Sequence, residues 1–245
     1  MAVELLLATD FDGTIAAIRE TPDEASVDPA IHEILSSLND RSDIAVAIIS
    51  GRDLADLEAR TAGIRAYRSG SHGHEISLPN GERVRSAPQW KGTPDREWIR
   101  RAIELGFRPE PKKYGLALHW RGLDGVADDH PILREFVAWA RGELLEVSPG
   151  RFVLEAGIPG ARKENVLAEL MKRTEASRVV YAGNDLTDFA ALEWASERGR
   201  AFFLQTPERL EIPVGRVEVL GSRLELIDRW REEIGRTAKD HLSSS

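Results

Sequence analysis

Two aspartates one residue apart, Asp10 and Asp12, close the apolar run in "LLLATDFDGT", with Gly13 and Thr14 directly behind them. Side chains two apart along a strand point to the same side, so both carboxylates project from one edge of whatever sheet the run joins. Two anions held that close call for a cation. Three more clusters carry residues able to do chemistry: Ser50, Gly51 and Arg52 in "IISGR", Lys163 in "GARKENVLAEL", and Asn184, Asp185 and Asp188 in "YAGNDLTDFAAL". A hydroxyl and free amides at a helix N-terminus suit a phosphoryl oxygen, although Ser50 taken alone reads as a plain helix N-cap. Lys163 stands at the start of a helical stretch, where a cation is less comfortable than at the end, with Arg162 and Lys172 as substitutes for its role. The HxH pair in "GSHGHEI" lacks the further ligands that a zinc site needs.

Strands are needed to position these clusters. Apolar runs of strand length recur at Val3–Thr9, Ile44–Ile49, Val179–Gly183, Ala201–Leu204 and Val217–Leu220, separated by helix-like segments. Unbroken apolar runs belong to strands covered on both faces, which predicts an α/β fold with a parallel sheet and helices on each side. Ligands of such sheets bind beyond the carboxyl ends of the strands, where "TDFDGT", "SGRD" and "GNDLTD" all fall. Between Gln89 and Ile158 the pattern changes to two amphipathic stretches, Asp95–Leu105 and Pro131–Leu144, an alternating "YGLALHWR", and a strand-like "RFVLEA" after an "SPG" turn. This predicts a small α+β insert with its own sheet, entered through the turn-rich "LPNGE" and left through "GIPG". The domains are therefore expected at 1–88 with 159–245, and at 89–158.

Composition narrows the classes. The chain has 245 residues, 42% of them hydrophobic, enough for a substantial core. A formal charge of −8 argues against nonspecific binding to nucleic acid or anionic lipid. With no cysteine, disulfides, thiolate chemistry and cysteine zinc sites drop out. No basic region precedes the short N-terminal apolar run, which contains Glu4, so neither a signal peptide nor a membrane span is expected and a cytoplasmic location is the default; a monomer is the expectation, although no residue pattern sets the oligomeric state.

The DxDGT string at a strand end resembles the signature of the haloacid dehalogenase superfamily, and the other three clusters follow in the order of its remaining motifs. The resemblance implies that Asp10 attacks phosphorus to form an aspartyl-phosphate and that Asp12 is the general acid and base. It also implies phosphate contacts from Ser50, Gly51, Arg52 and Lys163, and a Mg²⁺ held by Asp10, the backbone carbonyl of Asp12 and the fourth motif. That motif usually opens with Asp. Here Asn184 stands first, offering a carbonyl oxygen with one less negative charge, so the ligand is Asn184, Asp185 or Asp188.

"GSHGHEI", "EPKKYGLALHWR" and "FVLEAGIPGARK" resemble the trehalose-6-phosphate phosphatase family in particular. This implies a Rossmann-like core with an α+β cap of the C2 type between the second and third motifs. It also implies a small-molecule sugar phosphate as substrate, above all trehalose 6-phosphate. Sugar contacts are then implied for His72 and Glu75 in the core and for Glu110, Lys112, His119, Arg121 and Glu155 in the cap. The sequence departs from the pattern at Glu164, where the family commonly has Gly, and by one extra residue between Glu155 and Lys163. Two other readings stay open: the same chemistry on sucrose 6-phosphate, glucosylglycerol phosphate or a mannosylglycerate phosphate, and a core that binds sugar phosphate without turnover.

Overall fold

A computed structural model describes residues 3–19, 21–127, 129–150, 152–205 and 215–243. The chain divides into two units, a core of Met1–Ser86 with Arg162–Ser245 and an insert of Ala87–Ala161. The first segment of the core carries β1 (Leu5–Thr9), α1 (Pro29–Ser37), β2 (Ile44–Ile49), α2 (Leu54–Arg60), β3 (Tyr67–Gly70), β4 (Glu75–Ser77) and β5 (Arg83–Ser86). The insert holds α3 (Arg96–Glu104), β6 (Arg108–Lys112), β7 (Gly115–His119), α4 (Pro131–Gly142), β8 (Glu146–Gly150) and β9 (Val153–Gly157). The returning segment adds α5 (Lys163–Thr174), β10 (Arg178–Gly183), α6 (Phe189–Ser196), β11 (Gly199–Leu204), β12 (Glu218–Leu220) and α7 (Arg223–Ser243).

The core sheet has the order β12-β11-β10-β1-β2-β3-β4-β5. Strands β12 through β3 run parallel, and β4 and β5 add an antiparallel edge. Successive residues alternate between two apolar layers. Leu5 and Leu7 join Val46, Ile48, Val180 and Trp230 of α7 on one face. Leu6 and Ala8 join Ala47, Tyr181, Leu167 and Leu170 of α5 and Leu192 of α6 on the other. Because both faces are covered, the central positions of these strands are apolar, which explains the unbroken runs.

Strands β3 to β5 escaped the sequence pattern because they carry polar residues. Arg68, Ser69, Glu75 and Ser77 are all buried, and Arg68 is satisfied by donating Nη2 to the carbonyls of Thr61 and Ile64 at 3.0 and 2.6 Å. The "LPNGE" stretch is the β4–β5 hairpin loop, closed by Leu78 N–H donating to Glu82 O at 2.8 Å. It thus belongs to the core, and the insert starts after Ser86.

From β1 the chain adds β2 and β3 on one side and, after the insert, β10, β11 and β12 on the other. The connections diverge between β1 and β10, and at such a switch point a crevice opens beyond the carboxyl ends. Asp10 follows β1 and Asn184 follows β10.

The insert has a four-stranded antiparallel sheet in the order β6-β7-β9-β8. Its apolar face presents Leu116, Leu118 and Ala156 to Trp98 and Ala102 of α3 and to Ile132, Phe136 and Ala140 of α4. Pro109, Pro111 and Pro149 lie on the edge strands β6 and β8, where a missing N–H need not break a ladder. The expected "SPG" turn is instead the end of β8, with Ser148, Pro149 and Gly150 paired to Glu155, Leu154 and Val153. On the second face, Glu110, Ala117, Glu155 and Ser148 form one cross-strand row. His119 and Lys112 lie in the rows to either side.

Candidate active site

The β1–β10 ladder extends one residue past β1, with Asp10 N–H donating to Ala182 O at 2.8 Å. Asp10 is thereby fixed at the switch point, 5% exposed. Its Oδ1 accepts from Lys163 Nζ at 2.7 Å, and the same ammonium donates to Asp188 Oδ1 at 2.7 Å. Asp188 is saturated: Oδ1 also accepts from the Tyr181 hydroxyl at 2.6 Å, and Oδ2 accepts the N–H groups of Asn184 and Asp185, each at 3.0 Å.

Two carboxylates share one buried ammonium, and the electrostatics follow from that count. Burial pushes the Asp10 carboxyl up to about 8, against the pull of Lys163 and with added repulsion from Asp188. Burial also opposes ionisation of Asp188, yet Lys163, Tyr181 and a backbone N–H hold it below the usual carboxylate range. Burial works against the Lys163 ammonium too, but the two carboxylates keep it above the ordinary lysine range. The Tyr181 phenol is driven well above its usual range by burial and by the Asp188 charge.

The loop after β1 brings a further oxygen into this cluster. Gly13 has φ +86°, and a Cβ there would lie 2.1 Å from Asn184 Nδ2. Only glycine lets the backbone pass so close to that amide. Thr14 Oγ1 then donates to Asn184 Oδ1 at 2.9 Å. Asp185 caps the turn beyond, its carboxylate accepting Leu186 N–H at 2.7 Å.

Asp12 is half-exposed and gripped from one side. Arg52 donates Nε and Nη2 to its two oxygens at 2.7 and 2.8 Å, and Nη1 to Asp56 at 2.7 Å. The guanidinium lies 5.2 Å from the Phe11 ring centroid, so it is held on three sides. Ser50 Oγ accepts Arg52 N–H at 3.1 Å. Helix α2 begins only at Leu54 with Asp53 in the N-cap position, so Ser50 shapes the turn before the helix and is not its cap. Ser71 and His72 both adopt left-handed φ, 49° and 56°. Each such residue costs on the order of 1–3 kcal/mol. The result is an imidazole laid against Gly51, with Nε2 2.5 Å from where a Cβ would stand.

Other sequence candidates fall elsewhere. Glu75 is buried and pairs with Arg83 at 3.2 Å, which also reaches Glu58. Arg162 is exposed, and Lys172 stands in the last turn of α5, at the opposite end from Lys163. In the insert, Glu110 pairs with Lys112 at 2.6 Å and with His119 Nε2 at 2.8 Å. Burial raises the Glu110 carboxyl, but hydrogen bonds from His119 and Lys112 bring it down to about 2. Arg121 instead stacks on Phe152, 5.4 Å from its ring centroid.

Two residues escaped the sequence reading. Tyr181 has a hydroxyl inside an apolar run, and a buried hydroxyl needs a partner. Arg223 opens α7 and donates to the carbonyls of Gly13, Thr14 and Ala16. Its signal is the one that marked Lys163, a cation at a helix start.

The donors near the switch point are hard oxygens, the Asp10 carboxylate and the Asn184 amide oxygen. Among the described residues no group of three or more His, Asp or Glu could hold a metal alone. That set fits a cation such as Mg²⁺, which keeps several waters and takes one or two carboxylates plus a substrate phosphate. It also fits the charge count, since Asp10 and Asp188 share the single ammonium of Lys163.

The sequence matches the trehalose-phosphatase family over residues 8–222. A trehalose-phosphate phosphatase of Mycobacterium marinum is 30% identical over 213 residues, 81% of this chain and 53% of that protein. The chain spans about half the length of the curated relatives it matches. The C-terminal domain of a C. albicans trehalose-6-phosphate phosphatase superposes with a TM-score of 0.69 at 20% identity, covering 93% of this chain and 90% of that one. A haloacid dehalogenase-like hydrolase from Bacteroides thetaiotaomicron superposes at 0.63 and 15% identity, over 92% and 99%. The fold is therefore a haloacid dehalogenase-type α/β core interrupted by an α+β insert. Since the matched segment takes in all four polar clusters and the whole insert, the chain belongs to the trehalose-phosphatase family.

Proposed function

We propose that the chain is a Mg²⁺-dependent phosphatase that hydrolyses trehalose 6-phosphate through an aspartyl-phosphate on Asp10. The observation that carries this reading is the buried Asp10 at the β1–β10 switch point, bonded to Lys163 and beside Asn184. A bound Mg²⁺ would neutralise charge so that an anionic carboxylate can approach an anionic phosphate. Asp10, Asn184 and the Asp12 carbonyl are its proposed holders. Asp188, with both oxygens engaged, is assigned to positioning Lys163, and Asp185 to capping its turn.

In the first half-reaction an Asp10 oxygen bonds to phosphorus as the bond to the sugar oxygen breaks, and Asp12 gives that oxygen a proton. In the second, Asp12 takes a proton from the water that attacks phosphorus, and the Asp10–phosphorus link breaks to release phosphate. Lys163, the Ser50 hydroxyl and the Gly51 amide offset charge on the phosphoryl oxygens, whereas the Arg52 N–H is already donated to Ser50 Oγ. Arg52 takes one lone pair on each Asp12 oxygen and so orients the carboxylate, while each oxygen carries a second lone pair through which proton transfer can run. The polar face of the insert, with Glu110, Lys112, His119 and Glu155, supplies the sugar contacts in this reading. His72, Glu75 and Arg121 are lesser contributors.

Similarity to trehalose-phosphate phosphatases, one of them a trehalose-6-phosphate phosphatase, favours trehalose 6-phosphate over another sugar phosphate. Phosphate release from a panel of disaccharide phosphates and from an aryl phosphate, with and without Mg²⁺, tests both levels. Trehalose 6-phosphate should give the highest kcat/KM. A faster substrate elsewhere in the panel would move the specificity, and no Mg²⁺-dependent release from any of them would remove the enzyme reading.

A further inference from the structure

The loop of residues 11–16 is closed by three backbone hydrogen bonds within itself. Phe11 O accepts from Ile15 and Ala16 N–H, and Ala16 O accepts from Gly13 N–H. The carbonyls of Gly13 and Thr14 are served from the far end of the sequence. Arg223 Nε donates to Thr14 O at 2.9 Å, while Nη2 donates to Gly13 O at 3.0 Å and to Ala16 O at 2.9 Å. One guanidinium thus gathers three carbonyls within four residues.

Nothing in α7 itself accounts for this arginine. Its charge meets the positive end of the helix macrodipole, burial lowers its guanidinium below the usual range against the attraction of Asp28, and among the described residues no carboxylate lies at salt-bridge distance from it. The loop it holds is the one that meets Asn184: Gly13 by close approach, Thr14 through its hydroxyl. Arg223 lies just past the segment matched to the family, which ends at residue 222.

We propose that Arg223 is a positioning residue for the cation site. By fixing the peptides of Gly13 and Thr14 it holds the loop so that Asp10, the Asp12 carbonyl and Asn184 keep one arrangement. This inference rests on the reading of the chain as a Mg²⁺-dependent phosphatase.

The test compares R223K and R223Q with R229Q, a control on the same helix whose arginine pairs with Glu218 and Glu232 and does not touch the loop. The Mg²⁺ dependence of the melting temperature, without substrate, is measured beside that of aryl-phosphate hydrolysis. The Arg223 variants should need roughly tenfold more Mg²⁺ for half-maximal effect in both assays, the scale usual for partners that orient metal ligands. Their kcat should fall more than KM changes, and R229Q should keep the wild-type requirement. R223K retains the charge and the stem, so it provides folded protein if R223Q does not. Arg223 variants that melt earlier but keep the wild-type Mg²⁺ requirement would overturn the inference, leaving Arg223 a helix anchor. So would an equal shift in R229Q. A wild-type protein insensitive to Mg²⁺ in both assays would overturn the phosphatase reading first and this inference with it.

Discussion

Lys163 in the core and Lys112 in the insert each touch a carboxylate at bonding distance, 2.7 and 2.6 Å, but the Lys163 side chain is 3% exposed and that of Lys112 is 27%. The difference decides what each pair can do. Around Lys163 every partner is fixed by backbone and buried neighbours, and separating them leaves a charge with nowhere to go. Around Lys112 water already competes, so the pairing with Glu110 is screened and can be exchanged more readily than the buried one. A ligand hydroxyl could replace either partner at small cost. Rigid charge suits bond making and breaking, and exchangeable charge suits recognition.

The comparison breaks if the core cluster tolerates substitution. Asp10→Asn should cost about a thousandfold or more in turnover, since the nucleophile is removed with no change of volume. Substantial phosphate release by that variant would end the covalent mechanism. Asp188→Ala leaves the Tyr181 hydroxyl and the N–H groups of Asn184 and Asp185 without their acceptor while Lys163 keeps Asp10, so at about 1–3 kcal/mol per stranded group unfolding free energy should drop by about 3 kcal/mol or more in urea. A drop under about 1 kcal/mol would place the cluster with ordinary surface pairs.

The insert offers the milder tests. Glu155→Ala, Lys112→Ala and His119→Ala should each lower kcat/KM on trehalose 6-phosphate roughly tenfold to a hundredfold, the size of one charge-assisted hydrogen bond of about 1.5–3 kcal/mol. An aryl phosphate should be spared. Equal losses on both substrates would reassign these residues to fold or chemistry. The smallest effect belongs to Glu110. Its folded carboxyl is lowered from 4.5 to about 2, so the stability it contributes is present above 4.5 and fades as pH falls toward 2. Glu110→Gln should flatten the urea midpoint across that window, and an unchanged acid limb would show that the pairing contributes nothing measurable.

The fold was legible where burial on both faces forces the central strand positions to be apolar. Five core strands stood out for this reason, with ends off by two residues at most. Strands β3 to β5 did not, because Arg68 and Glu75 are buried through bonds to partners that hydropathy does not register. The polar clusters were legible as strings, and the Lys163–Asp10 contact was implied by the family resemblance rather than by the residues alone. Roles set across the chain were not. That Asp188 is saturated depends on Tyr181 and two backbone N–H groups, and the anchoring of the loop depends on Arg223, more than two hundred residues away. No local pattern encodes such a partnership.

The place of β1 in the sheet bears on how the chain reaches this structure. Leu5 pairs with Ile44 on one side and with Arg178 on the other. The first neighbour emerges early in synthesis, but the second follows only after the whole insert has been made. Until then the apolar edge of Leu5–Leu7 waits open, the kind of edge that recruits other chains. Closing so long a loop costs entropy that grows with the logarithm of its length, and an insert already compact shortens the loop that must close. The antiparallel β6–β7 pair, separated by only Lys113 and Tyr114, can form locally and early. The insert then acts as a spacer that shortens the search, and a lesion in its apolar layer, at Phe136 for instance, would show first as aggregation of nascent chains and only second as lost catalysis.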